Sequence, residues 1–186
     1  MQEEVIIAGF GGQGQLFAGQ LLAYAGMMED RKVAWIPSYG PEMRGGTANC
    51  TVVIGDEDVG SPIVLSPSAV VAMNPPSLDK YEPAVKAGGV LIVNTSLGTR
   101  PVRRKDITIA AIAANEEAAS VAGNEKLANM VALGALLALL PVVSIESVLA
   151  ALRKVLGERK AALFEANEKA LRRGMDLGRA AVNRQS

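Results

Sequence analysis

The chain of 186 residues carries 19 Lys+Arg against 19 Asp+Glu, a formal charge of zero, and it contains no His. That balance excludes the positive surplus on which nucleic-acid and anionic-membrane binders depend, and the missing imidazole removes the commonest general base. A single cysteine, Cys50, excludes an intramolecular disulfide, a four-cysteine iron–sulfur cluster and a Cys-rich zinc site.

The length predicts one domain over residues 1–186, which should bury about 70% of the unfolded chain's surface without staples. Met1-Gln2-Glu3-Glu4 is acidic where a signal peptide would be basic, so the chain reads as cytoplasmic. Val5-Ile6-Ile7-Ala8 is apolar at every position, as expected of a central parallel strand buried on both faces. Gly9-Phe10-Gly11-Gly12-Gln13-Gly14 follows at once, and Gln15 to Met27 is rich in small residues beside Leu16, Leu21 and Leu22. This is a strand, glycine loop, helix unit.

Val33 to Ile36 is the second predicted strand, Pro37 to Gly46 a ten-residue loop and Thr47 to Ile54 the third strand. That loop is too short for a parallel crossover, so the third strand should make the sheet mixed. Ala69 to Met73 and Val90 to Val93 are further buried strands. Between them lies a helix, with Ser77 as a plausible N-cap and Gly88-Gly89 as its end. Asp106 to Ile112 is a last short strand, and from Asn115 onward the pattern is helical. Met130 to Leu140 is almost wholly apolar but stops at Pro141, short of the ~18 residues of a membrane span, and reads as a buried helix. Ser144 is a candidate N-cap and Gly157 a candidate C-terminal glycine. Phe164, Asn167, Leu171, Met175, Gly178 and Val182 mark the buried stripe of the final helix. The order predicts an α/β, Rossmann-like three-layer fold with a mostly parallel, mixed central sheet and a helical C-terminal part.

Gly9-x-Gly11-x-x-Gly14 lies between a strand and a helix, where backbone N–H groups and the helix dipole can hold an anion. A dinucleotide site also wants an acid at the end of the second strand, and here that strand ends Trp35-Ile36-Pro37-Ser38. Packing or protein docking is therefore at least as good an account of the glycines. Tyr39-Gly40-Pro41-Glu42-Met43-Arg44-Gly45-Gly46 has no evident core role. In a doubly wound sheet the first two strands are neighbours, so this loop and the glycine loop should emerge side by side at the carboxyl edge and form one anion-accepting face. Arg44 suits a phosphate or carboxylate, and Glu42 suits orienting it or pairing with a partner's cation. The plainer reading is a surface ion pair of at most about 1 kcal/mol. Arg100, Arg103, Arg104 and Lys105 read as a solvated basic run. Asn49-Cys50-Thr51 and Asn94-Thr95-Ser96 match the glycosylation triplet by chance, and Cys50 reads as a small buried hydrophobe. Gly55-Asp56 starts a thiamine-diphosphate motif that Glu57 does not continue.

At Gly-Phe-Gly-Gly-Gln-Gly (9–14) and Pro-Ser-Tyr-Gly-Pro-Glu-Met-Arg-Gly-Gly (37–46) the chain resembles the gamma subunit of 2-oxoacid:ferredoxin oxidoreductases. The likeness continues through Asn74-Pro75-Pro76-Ser77-Leu78 and Ala128-Asn129-Met130. The Pro-Glu-Met form and the Asn-Pro-Pro segment look most like the 2-oxoglutarate class, with pyruvate, ketoisovalerate and indolepyruvate enzymes as relatives. The resemblance implies an accessory subunit of an assembly that oxidatively decarboxylates a 2-oxoacid with coenzyme A, giving acyl-CoA, carbon dioxide and reduced ferredoxin. It implies thiamine diphosphate and iron–sulfur clusters on partner alpha, beta and, where present, ferredoxin-like delta subunits, with no cofactor on this chain alone. By matching position, Gly9, Gly11, Gly12, Gly14, Tyr39, Glu42, Arg44, Gly45 and Gly46 would face those partners or coenzyme A. The alternative reading is a stand-alone Rossmann-type nucleotide-binding protein.

Overall fold

Six strands are present among the residues the computed structural model describes, which are 1–39, 46–61 and 63–185. They are β1 (Gln2–Phe10), β2 (Lys32–Tyr39), β3 (Thr47–Gly55), β4 (Ala69–Ala72), β5 (Val90–Asn94) and β6 (Thr108–Ile112). Their order in the sheet is β2-β3-β1-β4-β5-β6, with β1, β4, β5 and β6 parallel and β3 antiparallel to both β1 and β2. The expectation of a mixed sheet holds. The expectation that β1 and β2 are neighbours does not, because the short loop returns the chain as β3 between them.

The unbroken apolar runs follow from burial on both faces. Val5, Ile7, Ala69, Val71, Val90 and Ile92 point into one cluster, and Ile6, Ala8, Val70, Ala72, Leu91 and Val93 into the other. The first face is covered by α1 (Gln15–Met28), α4 (Ala128–Leu139), α5 (Ile145–Leu156) and α6 (Ala161–Gln185); the second is covered by α2 (Pro75–Tyr81) and the segments around it. α3 (Ala114–Ala122) joins β6 to α4 through one 3₁₀ turn. The result is three layers, thick on one side and thin on the other.

α4 is buried at nearly every position, which accounts for its apolar run. Among the described residues no helix is long and apolar enough to cross a membrane. α6 packs on α4 where glycines replace side chains: a Cβ at Gly178 would lie 2.8 Å from the Ala135 carbonyl oxygen. Asn167, Leu171 and Gly178 are buried in this contact, Phe164 and Met175 are half-buried, and Val182 departs from the predicted stripe by being 43% exposed.

Two helix boundaries differ from expectation. Asn74, not Ser77, caps α2: its Oδ1 accepts from the Ser77 N–H at 2.9 Å, and Pro75 and Pro76 occupy the first helical positions, where a missing N–H costs nothing. The helix ends at Tyr81 and passes into a 3₁₀ turn at Glu82–Ala84, well before Gly88-Gly89. Ser144 caps α5 as expected, its Oγ accepting from the Ser147 N–H at 3.1 Å, and Gly157 follows that helix with φ +72°.

Candidate functional site

The carboxyl ends of β1, β4 and β5 meet at one edge of the sheet, beside the start of α1. β1 runs directly into the glycine loop, in which Gly12 and Gly14 have φ of +94° and +75°. Gly14 serves as the N-cap residue of α1 and offers no side-chain acceptor. The first turn of α1 therefore presents backbone N–H groups and the positive end of the helix dipole at this edge.

The second loop reaches the same edge by a route other than strand adjacency. β3 starts opposite the end of β1, with Thr47 paired to Phe10, and β2 ends with Tyr39 paired to Ala48. The Gly11 N–H donates to the Gly46 carbonyl at 2.9 Å, so the loop's returning end is bonded to the glycine loop. Tyr39, at the outgoing end, is 55% exposed. Gly40, Glu42, Arg44 and Gly45 lie outside the described residues.

Side-chain amides hold the edge together, which the glycine fingerprint does not reveal. Gln15 is buried, and its Nε2 donates to the carbonyls of Phe10 at 2.9 Å and Ala48 at 3.3 Å, tying β1 to β3. Gln13 Nε2 donates to the Met73 carbonyl at 3.2 Å, tying the loop to β4. Asn94, at the end of β5, donates to the Met73 carbonyl at 3.3 Å and to Asn115 Oδ1 at 2.9 Å, while its own Oδ1 accepts from the Ala114 N–H at 3.1 Å. Ser96 Oγ accepts from the Asn115 N–H at 2.9 Å and donates to Glu116. Thus the start of α3 is capped from the end of β5. The triplet at 94–96 owes its Asn and Ser to this cap. Asparagine at the carboxyl ends of consecutive strands was the available sign.

Between the glycine loop and α4 lies a notch of about 100 Å³, lined by Gly12, Gln13, Met73, Asn115, Glu125 and Lys126 among others. Pockets that enclose a drug-sized ligand run from about 300 Å³ upward, and a water takes ~30 Å³. The notch suits a few waters or one small group, far less than a dinucleotide. An acid on β2 would in any case stand two strand spacings, about 10 Å, from β1.

The donor set does not fit an iron–sulfur cluster. Cys50 is fully buried on β3, its Sγ 3.5 Å from the Gln15 carbonyl oxygen, and burial pushes its thiol up to about 12. Among the described residues no group of three His, Cys, Asp or Glu side chains stands ready for a metal. Asp56 sits at the opposite edge of the sheet from the glycine loop and pairs with Arg31 at 2.9 Å, so Gly55-Asp56 has a structural partner of its own.

The basic run at 100–105 is only partly solvated, contrary to its reading as an open face. Glu82, 2% exposed, accepts from the backbone N–H groups of Arg103 at 2.5 Å and Arg104 at 2.9 Å and pairs with Arg100 at 2.6 Å. Burial pushes the Glu82 carboxyl up, but hydrogen bonds from Arg104, Arg100 and Arg103 outweigh it and leave the group below its ordinary value. Arg104 forks onto Asp106 at 2.6 and 2.7 Å. Two of the four cations are thus spent inside the fold.

Comparison with known proteins places these features in context. The family model described as pyruvate ferredoxin/flavodoxin oxidoreductase matches residues 4–177. Ketoisovalerate oxidoreductase subunit VorA of Methanothermobacter marburgensis is 44% identical over 135 residues, 73% of this chain; the chain spans only 28% of that protein's length. 2-oxoglutarate synthase subunit KorC of Methanocaldococcus jannaschii is 39% identical over 149 residues, covering 79% of this chain and 80% of that one. Among solved structures, the keto/oxoacid ferredoxin oxidoreductase gamma subunit of Geobacter sulfurreducens has a TM-score of 0.79 and 34% identity, covering 96% of this chain and 99% of that one.

Proposed function

The chain belongs to the pyruvate ferredoxin/flavodoxin oxidoreductase family, and from that premise we propose that it is the accessory, gamma-type subunit of a 2-oxoacid:ferredoxin oxidoreductase. The observation that carries this reading is the near end-to-end correspondence with a separate gamma subunit, 99% of whose length is matched. Residues 1–186 act as one domain in the cytoplasm. The chemistry of the assembly is the coenzyme A-dependent oxidative decarboxylation of a 2-oxoacid, with electrons passing to ferredoxin. Thiamine diphosphate and the iron–sulfur clusters sit on alpha, beta and, where present, delta subunits; one buried thiol and no imidazole cannot supply the ligand set of a cluster.

What the chain contributes is the carboxyl edge of its sheet. Gly11, Gly12 and Gly14, with Tyr39 and Gly46, turn toward the catalytic subunits, Gly9 is buried against Gln13 and Met73, and the resemblance alone assigns Glu42, Arg44 and Gly45 to the same contact. The α1 N-terminus and Arg44 suit the phosphates of coenzyme A. Of the possible substrates we favour 2-oxoglutarate, because the separate subunit KorC, 39% identical, is more similar than the gamma subunits common to pyruvate and ketoisovalerate oxidoreductases, 32% and 30% identical.

Co-expression with thiamine-diphosphate and iron–sulfur subunits of a 2-oxoacid:ferredoxin oxidoreductase tests the reading. The expected result is one complex surviving gel filtration, with a 2-oxoacid panel led by 2-oxoglutarate. Failure of the chain to join any such subunits, or micromolar NAD or FAD binding to the isolated chain in a calorimetric titration, would instead favour the stand-alone nucleotide-binding protein. The lack of an acid at the end of the second strand, Trp35-Ile36-Pro37-Ser38, weighs against that second reading.

A further inference from the structure

Gln13 uses both ends of its side chain at the centre of the carboxyl edge. Oε1 accepts from the Phe10 N–H at 2.7 Å and from Asn74 Nδ2 at 3.3 Å, while Nε2 donates to the Met73 carbonyl at 3.2 Å. Asn74 in turn caps α2, so one carboxamide joins the glycine loop, the end of β4 and the start of α2. A carboxamide supplies an acceptor and a donor on separate atoms at neutral pH; a carboxylate accepts only, and a thioether does little of either.

Position 9 makes room for this group. A Cβ on Gly9 would lie 2.8 Å from Gln13 Oε1 and 2.9 Å from Met73 Cβ. The glycine at 9 is thus explained by packing against Met73 and the amide, without reference to a bound phosphate. Gly12 and Gly14 flank Gln13 in left-handed conformations, and glycine backbone holds such a shape only where something fixes it. α1 itself is anchored further along, by fully buried Leu21, Leu22 and Ala25, so the helix does not need Gln13 in order to dock.

We propose that Gln13 is a positioning residue: seated in the space left by Gly9, its carboxamide fixes the glycine loop against Met73 and Asn74 in the shape that the catalytic subunits recognise. This rests on the accessory-subunit reading, and it assigns the recognition to loop geometry held from within the chain. The carboxamide itself touches no reacting atom.

Gln13→Met and Gln13→Glu in the full chain test it. Both should unfold at nearly the wild-type temperature. In the Met variant hydrogen exchange at the Phe10 amide should accelerate, and affinity for the co-purified catalytic subunits should fall about tenfold or more, as expected from losing hydrogen bonds at a recognition surface. The Glu variant keeps the acceptor but sets a carboxylate against the Met73 carbonyl. Its affinity should recover as pH falls from about 8 toward about 4, because the protonated acid regains a donor, whereas the wild type shows no such recovery. Unchanged Phe10 exchange, or faster exchange with unchanged affinity, would overturn the assignment. Failure of the wild-type chain to bind would overturn it as well, and would identify the accessory-subunit reading as the part at fault.

Discussion

Gly14 and Asn129 stand 115 residues apart in sequence and meet at the start of α1, where Asn129 Nδ2 donates to the Gly14 carbonyl at 3.0 Å. A Cβ at position 14 would lie 2.6 Å from that nitrogen, on a backbone already at φ +75°. Gly14→Ala therefore faces left-handed strain of about 1–2 kcal/mol and the displacement of a buried amide. Urea unfolding should register a loss of at least about 2 kcal/mol. A midpoint equal to wild type would mean that the contact has no such rigidity.

The α4–α6 crossing makes a second prediction. A Cβ at Gly174 would collide with the backbone carbonyl of Val131 and lie 3.0 Å from the Ala135 nitrogen. Backbone cannot step aside as a side chain can, so Gly174→Ala should cost about 3 kcal/mol and lower the melting temperature by several degrees. Calorimetry of the purified variant reads this directly, and an unchanged transition would contradict the close approach.

Glu82 gives a prediction with a sign in pH. Its folded-state carboxyl titrates below its ordinary value, so the stabilisation it gives is present above the unfolded-state value, near 4.5, and is lost as pH falls through the lower folded-state value. Acid titration of stability should show a steeper fall below about pH 4.5 in wild type than in Glu82→Gln. Near neutral pH, Glu82→Ala should cost about 3 kcal/mol, because Arg100 and two backbone N–H groups lose a buried acceptor. Parallel acid limbs for wild type and Glu82→Gln would remove Glu82 from the account.

Cys50 should be chemically silent. With its thiol buried and pushed up to about 12, reaction with a maleimide must wait for the strand to open. Mass spectrometry should find the native chain unlabelled over minutes and the urea-unfolded chain labelled at one site. Prompt native labelling would place the thiol within reach of solvent.

Much of this fold was legible because its signals are local. The apolar run at 5–8 and the glycines after it define β1, its loop and α1 without any distant contact, and the short loop before Thr47 required an antiparallel return. The neighbours of β1 were not legible, since inserting β3 beside it leaves every local pattern unchanged. Asn74 and Ser77 are both good caps, and the prolines between them, which favour the first helical positions, decide for Asn74. At the edge of the sheet the glycines stood out by composition, whereas the roles of the Gln13, Asn94 and Asn129 amides were not legible, because they bond to Met73 and Gly14, which are distant in sequence. The basic run looked solvated for a related reason: Glu82, which gathers it, lies 21 and 22 residues earlier in the chain.

If this chain lends an edge to partners that hold the reactive groups, those partners should be deficient without it, which an add-back assay measures. Catalytic subunits purified without the chain are mixed with 2-oxoglutarate, coenzyme A and ferredoxin, and ferredoxin reduction is followed as the chain is titrated in. The account predicts no turnover from the chain alone and a rise in rate that saturates at a fixed stoichiometry. Substrate turnover by the isolated chain, or a rate from the catalytic subunits that the chain leaves unaltered, would contradict it.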